Sequence, residues 1–285
     1  MCGVIGIFNF QYSNIIILEL INSLKKLQNR GRDSYGILLL NNNDNFLYKS
    51  HILINLDKVK ELKLQQSFYN IALGHSRYAT SYLSEGIKNN IYDSQPLKGK
   101  HPLLGVFFLV HNGNINFSTE IKDKYLNLND SNILVKIIED LTENTWSNIF
   151  EYIIRVIPGV YNVIVTTSNC IYCFKDRYNV RPLCYGMNKR GYCVASESVA
   201  LGDYKYVSEI DGGELVEISY EGIKRKRILE NTNKSIGAFF VGQRLRNGKP
   251  HQGHLDTRVG LWEFTKKFLI KNRIIPKSQH LKMLL

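Results

Sequence analysis

The sequence predicts a layered α+β domain in which helices cover the faces of β-sheets, and three observations point there. Short apolar, β-branched segments recur from residue 3 to residue 229, and a block of helical periodicity lies between them. No Pro/Gly/Ser-rich linker or internal repeat separates the blocks, so strands, helices and strands read as one continuous unit. The composition, 44% hydrophobic and 22% charged over 285 residues, supplies the apolar surface that such a core needs.

The elements follow in order. Residues 3–10, "GVIGIFNF", are almost continuously apolar and predict a strand buried on both faces. Residues 15–29, "IIILELINSLKKLQN", carry Leu18, Ile21, Leu24 and Leu27 at helical spacing, with Ser13 or Asn14 to cap the start and Gly31 to end the helix. Short strands are expected around 36–40, 45–50, 70–74 and 103–110, then helices at 117–125, 131–142 and 146–156. After the Pro158–Gly159 break the strand signals return as "YNVIVTTS", "CIYCFK", "RPLCYG" and "GYCVASES", followed by segments 214–219 and 222–229. Residues 2–230 thus form the expected domain. From residue 231 turn residues dominate, and "LWEFTKKFLIKN" reads as a last amphipathic helix. Residues 231–285 have too few apolar anchors for a core of their own. They are expected to pack on the main domain or to begin another.

Composition also excludes function classes. The longest apolar runs, "IIILELI" and "LLGVFFLV", fall short of the roughly 20 residues a membrane span needs. The start lacks a basic signal-like region, and five cysteines show no framework spacing, so the expectation is a cytoplasmic protein with no membrane partner. The net charge of +12 is spread along the chain without a basic face or Arg/aromatic interleaving, which argues against nucleic acid. Cys170 and Cys173 form a C-x-x-C, but on a strand positions three apart point to opposite faces, so no metal site is expected. No Walker loop or dinucleotide Gly pattern is present.

Four short stretches carry the chemistry. Cys2 follows the initiator Met, and with Met1 removed its thiol shares a residue with a free α-amine that can act as its base. The alternative is a small buried hydrophobe. "HNGN" at 111–114 reads first as a tight Asn-Gly turn. The same pair can instead present the Asn112 amide and the Gly113 N–H as an oxyanion hole. In "GHSRYAT" at 74–80, Arg77 can clamp a carboxylate or form a surface salt bridge. In "NDSNILVKII", Asp130 can cap a helix or bind an ammonium group. Arg77 and Asp130 together would suit an amino acid.

In this order "MCGVIGIF", "LQNRGRDSYGI", "GHSRYAT", "QPL", "HNGNI", "NDSN", "DRYNVRPLCYG" and "VASES" resemble the glutaminase domain of amidophosphoribosyltransferases, class-II glutamine amidotransferases of the N-terminal-nucleophile superfamily. The resemblance runs from residue 2 to about residue 220. It implies a four-layer αββα sandwich whose first strand carries the nucleophile into a cleft between the sheets. It further implies that Cys2 attacks the glutamine amide and that Asn112 and Gly113 hold the oxyanion. Arg77 would bind the α-carboxylate, Asp130 the α-amino group, and Thr80 would belong to the same substrate loop. Arg30 and Gly31 match the "RG" that supports the nucleophile from behind. The implied product is ammonia, passed to phosphoribosyl pyrophosphate in the first step of purine synthesis.

The departures are local and terminal. "RGRD" and "DRYNVRPL" stand where the family has "RGQD" and "DPxGxRPL", so Arg32 adds a charge, and Arg177 and Asn179 replace a turn-fixing Pro and Gly. The acidic, hydroxyl-rich phosphoribosyl loop is absent, and residues 231–285 resemble only the start of the second domain. The resemblance therefore implies no cofactor in this chain, with Mg expected only beside phosphoribosyl pyrophosphate in the missing domain. A separate phosphoribosyltransferase domain or a homo-oligomer is an expected partner. The alternatives are the glutaminase half of a split enzyme and a non-catalytic remnant that binds glutamine or docks on a partner.

Overall fold

The computed structural model describes residues 2–42, 44–55, 67–78 and 91–230. Thr80 and the segment 231–285 lie outside the described residues. In chain order the elements are β1 (Gly3–Ser13), α1 (Ile15–Leu27), β2 (Ser34–Leu40), β3 (Asn45–Ser50), β4 (Tyr69–Arg77), β5 (Leu97–His101) and β6 (Gly105–Ile115). Three helices follow, α2 (Thr119–Lys124), α3 (Asp130–Asp140) and α4 (Trp146–Val156). The remaining strands are β7 (Gly159–Thr166), β8 (Ile171–Lys175), β9 (Cys184–Asn188), β10 (Gly191–Ala195), β11 (Lys205–Glu209), β12 (Glu214–Ser219) and β13 (Gly222–Arg227).

The apolar opening run becomes β1, buried from Gly3 to Asn9 because both of its edges and both of its faces are covered. It pairs antiparallel with β10 and β4 at the middle of a seven-stranded sheet, ordered β11-β9-β10-β1-β4-β2-β3. A second, six-stranded antiparallel sheet has the order β13-β12-β8-β7-β6-β5. Three apolar clusters show the layering. One joins α1 to the outer face of the first sheet through Leu20, Leu24, Ile5 and Ile7. A second, with Val4, Phe8, Leu73, Phe108, Val110 and Ile164, fills the space between the sheets. The third packs α3 and α4 on the outer face of the second sheet through Leu134, Ile138, Phe150 and Phe174. This is the α+β, αββα arrangement that the resemblance implies.

Some details differ from the sequence reading. Leu18 is 51% exposed, and the buried stripe of α1 runs through Ile17, Leu20, Ile21, Leu24 and Leu27 instead. Asn14 holds the N-cap position without a side-chain capping bond, while the Ser13 Oγ accepts from Ile15 N at 3.1 Å. The helix ends at Gln28, before Gly31. Gly31 has another use: a Cβ there would lie 2.5 Å from the Ser76 carbonyl oxygen and the Arg77 carbonyl carbon. Only glycine lets the α1–β2 turn lie against the end of β4. Edge strands β5 and β11 carried little signal. In β5 the exposed Lys98 and Lys100 alternate with buried neighbours, a pattern that discourages further strand pairing.

Candidate active site

The site lies where the apolar layer between the sheets gives way to polar side chains. Strand alternation carries each of them onto the inward face. Val4 and Phe8 of β1 face the layer, and Cys2 sits two residues before Val4. Ile71 and Leu73 of β4 are followed on the same face by His75 and Arg77. Phe108 and Val110 of β6 lead to Asn112, Ile164 of β7 to Asn162, and Ile171 and Cys173 of β8 to Lys175. Registers place these ends together within each sheet: Gly3 opposite Ser76, and Asn112 opposite Asn162, itself opposite Lys175.

Cys2 is held from two sides. The Tyr78 N–H donates to its sulfur at 3.4 Å, and Arg30 Nε donates to its carbonyl oxygen at 2.9 Å. Arg30 is 4% exposed and its Nη1 pairs with Glu197 at 2.7 Å. Burial lowers the pKa of that guanidinium, and the Glu197 carboxylate opposes the shift. The "RG" of the helix-terminal turn therefore lies directly behind the cysteine.

Asn112 and Gly113 do not form a turn. Both lie inside β6, where Asn112 pairs with Asn162 and Gly113 with Tyr161. The Asn-Gly turn preference yields here to the long apolar run that precedes it and to pairing with β7 along the strand. A Cβ on Gly113 would come within 2.2 Å of the Val160 carbonyl oxygen, so β7 demands glycine at this point. Asn112 is 2% exposed, and its Nδ2 has no hydrogen-bond partner among the described residues. It is a buried donor pair on the inward face of the second sheet, across the layer from the first sheet, which begins after Cys2.

Asp130 is not the cap of α3. Asn129 caps it, accepting from Asn132 N at 2.9 Å. Asp130 occupies the first helical position, where the helix dipole favours a carboxylate, and accepts from Ser131 N at 2.9 Å and Ile115 N at 3.2 Å. Arg77, the last residue of β4, reaches across to Asp93, with Nη2 and Oδ2 3.9 Å apart. Cys170 and Cys173 lie in different layers, against the helices and between the sheets, so they cannot share an ion. Among the described residues no group of three or more His, Cys, Asp or Glu side chains could hold a metal.

The sequence reading missed the bracing of these groups. Gln95 accepts from His111 N at 2.5 Å and donates to Ser131 Oγ at 3.0 Å, and Ser131 Oγ meets His111 Nδ1 at 2.9 Å. This triangle ties the residue before Asn112 to the residue after Asp130. The three residues occur in "QPL", "HNGN" and "NDSN", but nothing local in those motifs says that they meet. His75 and His111 are fully enclosed and stay neutral; burial pushes His75 down to about 3. Arg181 of "RPL" is also pushed down by burial, and Cys2 and Asp176 are the neighbouring acidic groups that act against this shift. The Arg181 loop is well tied. Asn162 Nδ2 donates to the Pro182 carbonyl at 2.8 Å, and Asp176 accepts from Tyr161 N and Tyr178 N at 2.8 and 2.7 Å. Asn179 takes a left-handed φ of 55°, and its side-chain oxygen accepts from Lys175. Asparagine thus fills the glycine-like position that the departure from the family pattern left in question. Arg32 and Arg177 are exposed.

Comparison with known proteins agrees with this fold. Residues 87–203 match a family described as "Glutamine amidotransferase domain". The chain is 29% identical to amidophosphoribosyltransferase of Bacillus subtilis over 82% of its own length and 31% identical to that of Escherichia coli over 78%. It spans about half the length of these relatives, 49% and 47%. A solved structure described as the allosteric regulatory enzyme of purine biosynthesis superposes with a TM-score of 0.70 and 26% identity, over 81% of this chain and 50% of that one. The B. subtilis glutamine phosphoribosylpyrophosphate amidotransferase complexed with ADP and GMP gives 0.68 and 27%, over the same shares. The chain therefore carries a glutamine amidotransferase domain of the kind found in amidophosphoribosyltransferases.

Proposed function

We propose that Cys2 of this domain is the nucleophile that hydrolyses the side-chain amide of glutamine, and that the ammonia released serves phosphoribosylamine formation from phosphoribosyl pyrophosphate in the cytoplasm. The observation that carries the reading is the juxtaposition at Cys2. Its sulfur is held by the Tyr78 N–H and its carbonyl by Arg30, and Asn112 Nδ2, with no hydrogen-bond partner among the described residues, lies on the inward face of the opposite sheet.

The chemistry follows from these groups. Removal of Met1 frees the Cys2 α-amine, which takes the thiol proton as the sulfur attacks the amide carbon. The carbonyl oxygen becomes an oxyanion, stabilised by Asn112 Nδ2 and the Gly113 N–H. The α-ammonium returns the proton to the amide nitrogen, the C–N bond breaks, and ammonia leaves a thioester on Cys2. Water then hydrolyses the thioester to glutamate and restores the thiol. Arg77 holds the substrate α-carboxylate, and Asp130 receives the α-amino group. The phosphoribosyl step belongs to the half of the relatives' length that this chain does not span, in a separate domain or subunit.

The test is glutaminase activity of the purified protein against Cys2→Ala, with intact mass to show loss of Met1 and a glutamine-analogue alkylator to label the cysteine. The expected result is activity and single labelling in the parent protein and neither in Cys2→Ala. Equal activity in both proteins, or a retained Met1 in an active enzyme, overturns the mechanism.

A further inference from the structure

We infer that Asp93 is a second carboxylate for the α-ammonium group of the substrate, so that the site is built for a zwitterion; this rests on the reading of glutamine as the substrate.

Asp93 stands between the two groups assigned to the ends of an amino acid. Its Oδ1 accepts from Asn129 Nδ2 at 2.8 Å and from Asn132 Nδ2 at 3.2 Å, the N-cap and a first-turn residue of α3 on either side of Asp130. These two amides fix the carboxylate and leave Oδ2 on the side of Arg77, 3.9 Å from Nη2. No hydrogen-bond donor among the described residues engages Oδ2. Asp130, by contrast, has both oxygens engaged by backbone N–H groups, Oδ1 by Ser131 and Oδ2 by Ile115. An ammonium brings three donors, and enclosing it needs acceptors beyond those Asp130 has left. Asp93 Oδ2 is the carboxylate oxygen that can take one of them.

The segment around Asp93 is anchored to both sheets. Ser94 Oγ meets Ser34 Oγ of β2 at 2.8 Å, and Gln95 grips His111 of β6. Gly36 of β2 leaves the space this needs, because a Cβ there would lie 2.1 Å from the Gln95 carbonyl oxygen. Lys49 of β3, opposite Gly36 in the ladder, is partly buried, with Asp93 and Arg77 the charged groups acting on it. Burial lowers its pKa, and Asp93 opposes the shift. The site therefore holds two cations, Arg77 and Lys49, and two carboxylates, Asp93 and Asp130. A zwitterion adds no net charge to that balance, whereas an amide without its ammonium adds an unmatched carboxylate.

The test compares ligands that differ in that one group. Binding of glutamine and of glutaramate, which lacks the α-amine, is measured by calorimetry on the full chain in a Cys2→Ala background, where neither is consumed. Asp93→Asn is expected to weaken glutamine about 10- to 100-fold, the size of a charge-assisted hydrogen bond, and to leave glutaramate within about twofold. Asp93→Ser, measured alongside with a melting curve for each protein, is expected to show the same selectivity. Equal loss for both ligands makes Asp93 a brace for Arg77 and overturns the inference, as does unchanged glutamine binding. Absence of glutamine binding overturns the inference together with its substrate. Selective loss in a chain whose Cys2 form does not hydrolyse glutamine leaves the inference standing and removes only the catalytic reading.

Discussion

Arg30→Met separates a structural support from a decorative salt bridge. The Arg30 and Glu197 side chains are 1% and 11% exposed, and their closest atoms are 2.7 Å apart. Replacing the guanidinium takes the 2.7 Å Arg30 bond away from the Glu197 carboxylate in a poorly hydrated site and removes the Arg30 donor from the Cys2 carbonyl. Breaking one side of a buried pair costs about 3–5 kcal/mol. For a domain of this size that is a fall in melting temperature of about 6–20 °C. The assay is thermal and urea denaturation of the parent, Arg30→Met, Glu197→Met and the double variant. The single variants should each lose most of that amount. The double variant should recover most of it, because a well-packed apolar pair carries no stranded charge. Glutaminase activity should stay low in the double variant, because the donor to Cys2 is still missing. A single variant within about 1 kcal/mol of the parent, or a double variant no better than Arg30→Met, refutes the reasoning.

Asn112→Ala should lower kcat for glutamine by about 10²–10³ while KM changes by less than about threefold, because an oxyanion donor acts on charge that appears only during reaction. Steady-state kinetics reads it, and a loss confined to KM would assign Asn112 to ground-state binding. His75→Asn should remove a pH dependence of stability. The folded pKa of about 3 lies below the ordinary 6.5, so the unfolded chain binds more protons, and stability rises with pH across that window. A shift of that size corresponds to about 5 kcal/mol gained between pH 3 and pH 6.5. Denaturation midpoints at several pH values check it, and parallel slopes in parent and variant would place the titration elsewhere.

Much of the domain was legible because its signals are local. The continuous apolar run of β1 and the Pro158–Gly159 break ahead of β7 announce themselves over a few residues. Failures came where a local preference met a stronger tertiary one. Asn112–Gly113 reads as a turn in isolation, but the ladder to β7 from Phe108 to Ile115 holds it extended. Leu18 fits the helical period, yet α1 rolls so that Ile17 and Leu20 meet the sheet instead. Edge strands β5 and β11 have one neighbour each, so their alternation is diluted by exposed charge.

The order of the motifs alone named the candidate groups, Cys2, Arg77, Asn112 and Asp130, because residue type constrains which chemistry each can do. Which of them carry free valence was decided by the fold. Asp130 spends its oxygens on two backbone N–H groups, Asn112 Nδ2 has no partner among the described residues, and Asp93 is turned toward Arg77 by Asn129 and Asn132 at the start of α3. Apart from the bond from the adjacent Ser131, the hydrogen bonds that decide this join residues 15 to 39 positions apart. A sequence pattern records neighbours along the chain. Only the packing of β6 and α3 and of the 91–96 segment on both sheets determines which donors and acceptors remain for a substrate.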